Sequence, residues 1–239
     1  LSFILFYSSV QYVLYSYNLA QGNALLSIEI FSSIGYNILV IDETKREERA
    51  MGSTIQEYLA SLRGKRVAVL GIGVSNTPLI KMLLRADVEV TACDKRQRED
   101  FGGQAEELES LGAELRLGPD YLDGLDHDVI FRTPGLRPDV PQLLAARERG
   151  STITSEMEVF FQVCPCKTIA VTGSDGKTTT TTIIAELLKA AGQSVYVGGN
   201  IGKPLLPDVD GMVPEDVAVL ELSSFQLMTM EQSPDIAVV

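Results

Sequence analysis

Near the middle of the chain, Gly173-Ser174-Asp175-Gly176-Lys177-Thr178 stands between an apolar, β-rich run at residues 167–172 and a helical pattern that continues to about Ala191. Glycines there let backbone N–H groups turn inward around phosphate oxygens, and the N-terminus of the following helix adds its dipole. Lys177 supplies a point charge for the outer phosphates, and the Thr178 hydroxyl is a ligand for Mg²⁺. The usual phosphate loop has a glycine six residues before its lysine; here Val171 stands at that position, so the loop is the shorter G-x-x-G-K-T. Glu221 ends a second apolar run, Val217–Glu221, 44 residues after Lys177. An acid at the end of such a strand meets the metal on nucleotide phosphates.

A third cluster lies towards the N-terminus. Gly71-Ile72-Gly73-Val74-Ser75-Asn76 follows the run Arg66–Leu70 and opens a helical pattern, as a dinucleotide-binding turn does. Asp94 ends the next strand, 23 residues after Gly71, where a ribose-binding acid sits. Asn76 replaces the third glycine, which argues against tight pyrophosphate packing of the NAD type. Asn76 or Thr77 is expected as N-cap, with Pro78 in the first turn.

These segments require elements to hold them. Strands are expected at residues 66–70, 88–93, 114–117, 128–132 and 152–154, with helical patterns between them. The alternation restarts with strands at 167–172, 194–197, 217–221 and 235–239. Strands alternating with helices at this spacing make a parallel sheet covered on both faces. The chain therefore reads as α/β with two units: a Rossmann-like parallel-sheet domain at residues 62–155, then a P-loop-type α/β nucleotide-binding domain at residues 156–239. The second is expected to be truncated, because its last strand would be left as an open edge.

The chain has 239 residues, 45% of them hydrophobic and 22% charged, so it is globular rather than disordered. Its formal charge of −12 excludes a broad basic surface for nucleic acid and confines anionic ligands to local sites. Three cysteines are too few for a disulfide framework and fit a reducing, cytoplasmic setting. Residues 1–41 break from the rest, with one charged residue, Glu29, and five of the eight tyrosines. Residues 1–50 read as non-homologous or read-through sequence, with a genuine anchor or an extra structural element as the rivals; Ser2, Ser8, Ser9, Gln11 and Ser16 make a poor membrane segment, and no basic start marks a signal peptide. His127, the only histidine, lies in a polar Leu-Asp-His-Asp loop and is expected at the surface. Cys164-Pro165-Cys166 has no partner cluster for zinc. Beyond the first threonines of the run at 178–182, the side chains are expected to pack on the sheet, and Glu106, Glu107 and Glu109 to form a solvated helix face.

The stretches 172–180 (TGSDGKTTT), 198–202 (GGNIG) and 221–227 (ELSSFQL), with 71–75 (GIGVS), 93–96 (CDKR) and 133–135 (TPG), resemble the Mur ligases over about residues 62–239. The resemblance implies an ATP-dependent ligase. It phosphorylates the carboxylate of UDP-N-acetylmuramoyl-L-alanine, and the amine of D-glutamate then attacks the acyl phosphate. It implies ATP on Gly173, Ser174, Asp175, Gly176, Lys177, Thr178 and Thr179, Mg²⁺ on Thr178 and Glu221, and Lys177 with Glu221 as the catalytic pair. The uridine diphosphate would rest on Val74, Ser75, Asp94, Lys95 and Arg96 and against Thr133, Pro134 and Gly135, where the family usually has Ser at position 133. Asn200 would meet the sugar or its phosphates, and Ser223, Phe225 and Gln226 would line the site. Much of the D-glutamate site and the ligands of a second metal would lie in sequence not contained here. The chain alone is therefore expected to be a monomer, free of nucleic acid and membrane, that binds but does not ligate. Two other readings stay open: a non-catalytic nucleotide-binding module, and a NAD-dependent oxidoreductase acting through the front unit.

Overall fold

A computed structural model describes the chain at Ile38–Val40 and over residues 54–239. In chain order the elements are β1 (Ile38–Val40), α1 (Ile55–Ser61), β2 (Arg66–Leu70), α2 (Asn76–Arg85), β3 (Glu89–Asp94), α3 (Gly103–Ser110), β4 (Glu114–Leu117), β5 (Val129–Arg132), α4 (Pro141–Glu148), β6 (Thr152–Thr154) and α5 (Glu156–Val163). There follow β7 (Lys167–Val171), α6 (Lys177–Ala190), β8 (Val195–Gly199), β9 (Val217–Glu221), α7 (Ser224–Leu227) and β10 (Ile236–Val238), with 3₁₀ turns at Arg98–Phe101 and Leu206–Gly211.

Nine of these strands are short apolar runs that pair in parallel, in two five-stranded sheets ordered β4-β3-β2-β5-β6 and β1-β10-β7-β9-β8. Alternate residues of β2 point to opposite faces. Val67 and Val69 join a core with Leu79, Ile80 and Leu83 of α2 and Leu108 of α3, while Ala68 and Leu70 pack with Leu143 and Ala146 of α4. The second sheet divides in the same way. Ile169, Val171 and Val219 face Ala185 of α6, whereas Ala170, Ala218 and Leu220 join the core that contains Phe160 and Phe161 of α5. That core continues into the first sheet, so the two units share one apolar interior through α5 and the turn at Leu206–Gly211.

Local chemistry sets several element ends. Thr54 and Glu57 form a reciprocal capping box on α1, Ser155 caps α5, and Pro141 occupies the first turn of α4. The expected N-cap of α2 is corrected: Ser75 holds that position without a side-chain bond, and Asn76 is the first helical residue. The reading of β10 as an open edge is also corrected. Ile38–Val40 pairs antiparallel with β10, from Ile38 opposite Val238 to Val40 opposite Ile236. Three residues of the segment taken as extraneous thus close the sheet; the remainder of residues 1–50 lies outside the described residues.

His127 is a further correction. Its side chain is 5% exposed and its Nδ1 has no hydrogen-bond partner. Asp128 accepts from the Arg66 backbone N–H at 2.8 Å and Asp126 pairs with the Arg66 guanidinium at 2.8 Å, so the two flanking acids take the wet side of the loop and His127 turns inward. Burial, helped by the positive field of Arg116, pulls its pKa below the usual histidine value.

Candidate functional site

Parallel pairing places the C-terminal ends of the strands along one edge of each sheet. In the second sheet, Val171 of β7 lies opposite Glu221 of β9, which lies opposite Gly199 of β8. The glycine loop, the acid and the Gly-Asn segment, far apart in sequence, are therefore neighbours in a single row. The loop from Gly173 to Gly176 is open to solvent, with φ of +130° at Gly173 and +75° at Gly176, values that L side chains rarely adopt. Gly176 is the N-cap of α6, whose first N–H groups have no intrahelical acceptor and face this opening. The Lys177 ammonium folds back on the loop carbonyls of Gly173, at 2.8 Å, and Ser174, at 3.1 Å. Thr179 is exposed on the first turn of the same helix.

Glu221 is buried, and both of its carboxylate oxygens are engaged. The Thr178 hydroxyl donates to Oε2 at 2.7 Å and Asn200 Nδ2 to Oε1 at 3.1 Å. The Glu221 carbonyl accepts from the Asn200 N–H at 2.7 Å. A Cβ at Gly199, whose φ is +93°, would collide with that carbonyl, so this approach needs glycine. Hard oxygen donors from one hydroxyl and one carboxylate suit Mg²⁺, which keeps most of its shell for water and phosphate. No cluster of three or more His, Cys, Asp or Glu among the described residues offers a fuller metal cage.

Ser223 and Gln226 bond chiefly to each other. Ser223 Oγ accepts from the Gln226 N–H at 3.3 Å, and Gln226 Oε1 accepts from the Ser223 N–H at 2.9 Å and its hydroxyl at 3.0 Å, a capping box on α7. The box turns Phe225 outward, 54% exposed. The S-x-x-Q spacing carried this capping signal in the sequence, beside the site role expected of the same residues.

The first sheet presents a different crevice. Its order reverses between β2 and β5, the switch point at which α/β sheets bind ligands. Gly71, after β2, and Thr133, after β5, face each other across it: a Cβ at Gly71 would stand 3.2 Å from Thr133 Cγ2. Asp94 ends β3 beside them, buried. It accepts from the Ile72 N–H at 2.7 Å, the Arg96 N–H at 3.0 Å and the Arg96 guanidinium at 3.1 Å, while that guanidinium also donates to the Ile72 carbonyl at 2.6 Å. Burial works against the Asp94 charge, but these bonds outweigh it and hold the carboxyl below its usual pKa. Arg96 also stacks over Phe101, 4.2 Å from the ring centre. Val74 and Lys95 are exposed at the mouth, Ser75 is half-buried there, and Pro134 and Gly135 follow Thr133 in the facing loop.

Asn76, which departs from the glycine pattern and does not cap α2, has another role. Its side chain is buried and donates at 3.0 Å to the carbonyls of both Leu70 and Gly71, pinning the turn from beneath. Cys164 and Cys166 are buried thiols with sulfurs 3.4 Å apart, between α5 and β7 and away from both crevices.

Residues 171–239, which hold the row of Val171, Glu221 and Gly199, match the Mur ligase middle domain. This stretch belongs to that family. Over 190 residues, 79% of its length, the chain is 52% identical to UDP-N-acetylmuramoylalanine–D-glutamate ligase of Clostridium botulinum (strain Hall) and 50% identical to the ligase of that name from Ruminiclostridium cellulolyticum. It spans 42% and 41% of those two proteins. Among solved structures, the murein peptide ligase Mpl of Psychrobacter arcticus is 21% identical, with a TM-score of 0.38 over 67% of this chain and 37% of its own.

Proposed function

We propose that this chain carries the nucleotide-binding and uridine-substrate-binding parts of an ATP-dependent ligase that joins D-glutamate to UDP-N-acetylmuramoyl-L-alanine. The observation that carries the reading is the row in the second sheet, where the Thr178 hydroxyl lies 2.7 Å from the Glu221 carboxylate beside an open glycine loop. Gly173 to Thr179 would hold ATP: the first N–H groups of α6 take phosphate oxygens, and Lys177 exchanges its loop carbonyls for the outer phosphates. Thr178 and Glu221 would hold Mg²⁺, which neutralises phosphate charge when bound. A carboxylate is a poor electrophile until one oxygen becomes a leaving group. Phosphoryl transfer to the substrate carboxylate makes that oxygen phosphate, and the D-glutamate amine displaces it to form the amide, releasing ADP and phosphate over the two steps.

The front crevice would take the uridine diphosphate. Val74, Ser75 and Lys95 stand at its mouth, Thr133, Pro134 and Gly135 form its far wall, and Asp94 with Arg96 shape its floor. Asn76 supports this over a NAD site, because it stands where the NAD-type turn has a third glycine for close helix–strand packing, and its amide bonds the Leu70 and Gly71 carbonyls there instead. Asn200, Ser223, Phe225 and Gln226 would border the path between the two sites. A monomer working in the cytoplasm completes the proposal; no helix among the described residues is long and apolar enough to cross a membrane.

Calorimetry on the 239-residue chain tests the nucleotide site. Lys177→Ala is expected to weaken MgATP binding by roughly 10- to 100-fold, the worth of a charge-assisted phosphate contact, with an unchanged melting temperature. Equal affinity in parent and variant would remove Lys177 from the site. Titration of the parent with UDP-N-acetylmuramoyl-L-alanine and NAD tests the front crevice, where tight NAD binding without response to the uridine ligand would overturn the assignment.

A further inference from the structure

Arg132 ends β5 and is 2% exposed, yet it belongs to no motif recognised in the sequence. Its Nη1 donates to three carbonyls of the loop that follows it: Thr133 at 3.2 Å, Pro134 at 3.2 Å and Leu136 at 2.6 Å. Its Nη2 donates to the Thr229 hydroxyl at 3.0 Å. Thr229 lies two residues beyond α7, in the segment that leaves Glu221, Ser223 and Gln226. One buried guanidinium therefore holds the shape of the Thr133–Leu136 loop and ties it to the other unit. The joint is not close-packed there: Arg132, Glu158, Phe161 and Thr229 line a cavity of about 290 Å³. Across that gap the hydrogen bonds of Arg132 tie the loop to Thr229, while Leu136 at the loop's far end packs against the core that holds Leu143 and Ala146.

The loop's position matters because Thr133 borders the switch point: a Cβ added at Gly71 would stand 3.2 Å from its Cγ2, so the loop sets how much room this edge of the crevice has. A planar fork with five donors can serve several carbonyls at once. A lysine ammonium at the same position keeps the charge but cannot span the same set of oxygens. Neutral carbonyl partners also leave the guanidinium charge available to orient the loop dipoles; burial works against that charge, and the field of Glu158 offsets only part of the cost.

We propose that Arg132 is a positioning residue for the uridine-substrate site, setting the Thr133–Leu136 loop against Gly71 and, through Thr229, making its position depend on the nucleotide-binding unit. The inference rests on the uridine reading of the front crevice. The test is calorimetry of the 239-residue chain with UDP-N-acetylmuramoyl-L-alanine and, separately, with MgATP, for the parent, Arg132→Lys, Thr229→Val and Thr229→Ser. Arg132→Lys is expected to weaken the uridine ligand by about tenfold or more while leaving MgATP affinity within about twofold. Thr229→Val should weaken it by about fivefold, and Thr229→Ser, which restores the hydroxyl, should return it to the parent value. If Arg132→Lys fails to fold, the two Thr229 variants decide the matter. Parent-like uridine affinity in Thr229→Val, or equal losses for both ligands, would overturn the proposal. A parent that binds MgATP but not the uridine ligand would overturn the reading of the crevice itself, and the inference with it; the parent measurement alone distinguishes that failure.

Discussion

The two sheets place ligand-facing groups at the same structural position and equip it in opposite ways. At the ends of β2, β3 and β5, side chains close on the backbone around them: Asp94 on Ile72 and Arg96, and Asn76 on Leu70 and Gly71. At the ends of β7, β8 and β9, the backbone is left open at Gly173–Gly176, and glycine at 199 allows Asn200 to reach the Glu221 carbonyl. The first crevice is preorganised by side-chain bonds formed before any ligand arrives. The second leaves the first N–H groups of α6 open behind a glycine loop, while Thr178 and Asn200 hold Glu221 and Lys177 rests on the loop carbonyls. Under the proposed function, rigid recognition of a nucleotide sugar falls to the first edge and accommodation of a transferable phosphate to the second.

The sharpest way to break this contrast is to add the same kind of atom on each side. Gly199→Ala puts a Cβ against the Glu221 carbonyl at positive φ and is expected to cost about 3–5 kcal/mol, read as a lower urea midpoint. Gly73→Ala, where an added Cβ meets nothing within 4 Å, should stay within about 0.5 kcal/mol of the parent. Similar losses at the two positions would mean that glycine does the same work in both loops.

A middle-sized effect probes the side-chain network. Asp94→Asn keeps an acceptor for the Ile72 N–H but loses the charge that meets Arg96, at an expected cost of about 1–3 kcal/mol at neutral pH. The folded-state pKa of Asp94 is depressed, so its contribution is fully present above the unfolded value of about 3.9 and is lost as pH falls through the folded pKa. The gap between parent and variant should therefore close on the acid side of that value. A gap that stays constant down to pH 2 would show that the carboxylate charge is not what stabilises the turn.

The smallest effect concerns the sheet edge. A chain starting at Met51 loses the three residues that pair with β10, and its melting temperature should fall by about 2–4 °C. An unchanged temperature would return residues 1–50 to the role of a segment that the fold does not use.

Much of the architecture was legible because it is written in short-range patterns. The run Val217–Glu221 and the strand–glycine–helix order at 167–190 appear in the structure almost where the pattern put them. His127 was not legible, since a polar neighbourhood in sequence says nothing about which of three consecutive polar side chains turns inward. Ser223 and Gln226 carried two compatible signals, a site motif and a capping box, and local sequence cannot apportion them.

The amino-acid sequence by itself determined the α/β pattern, the restart of strand and helix that makes two units, the glycine loop before Lys177 and the acids at strand ends, because periodicity, backbone freedom at glycine and side-chain chemistry are properties of neighbouring residues. Tertiary structure alone decided which strands became neighbours, and with that the pairing of Thr178 with Glu221 and the reach of Arg132 from the Thr133–Leu136 loop to Thr229. Those bonds join residues 43 and 97 positions apart in the chain. Their geometry depends on parallel register and on the packing of α5 between the sheets, and neither is encoded by any segment on its own.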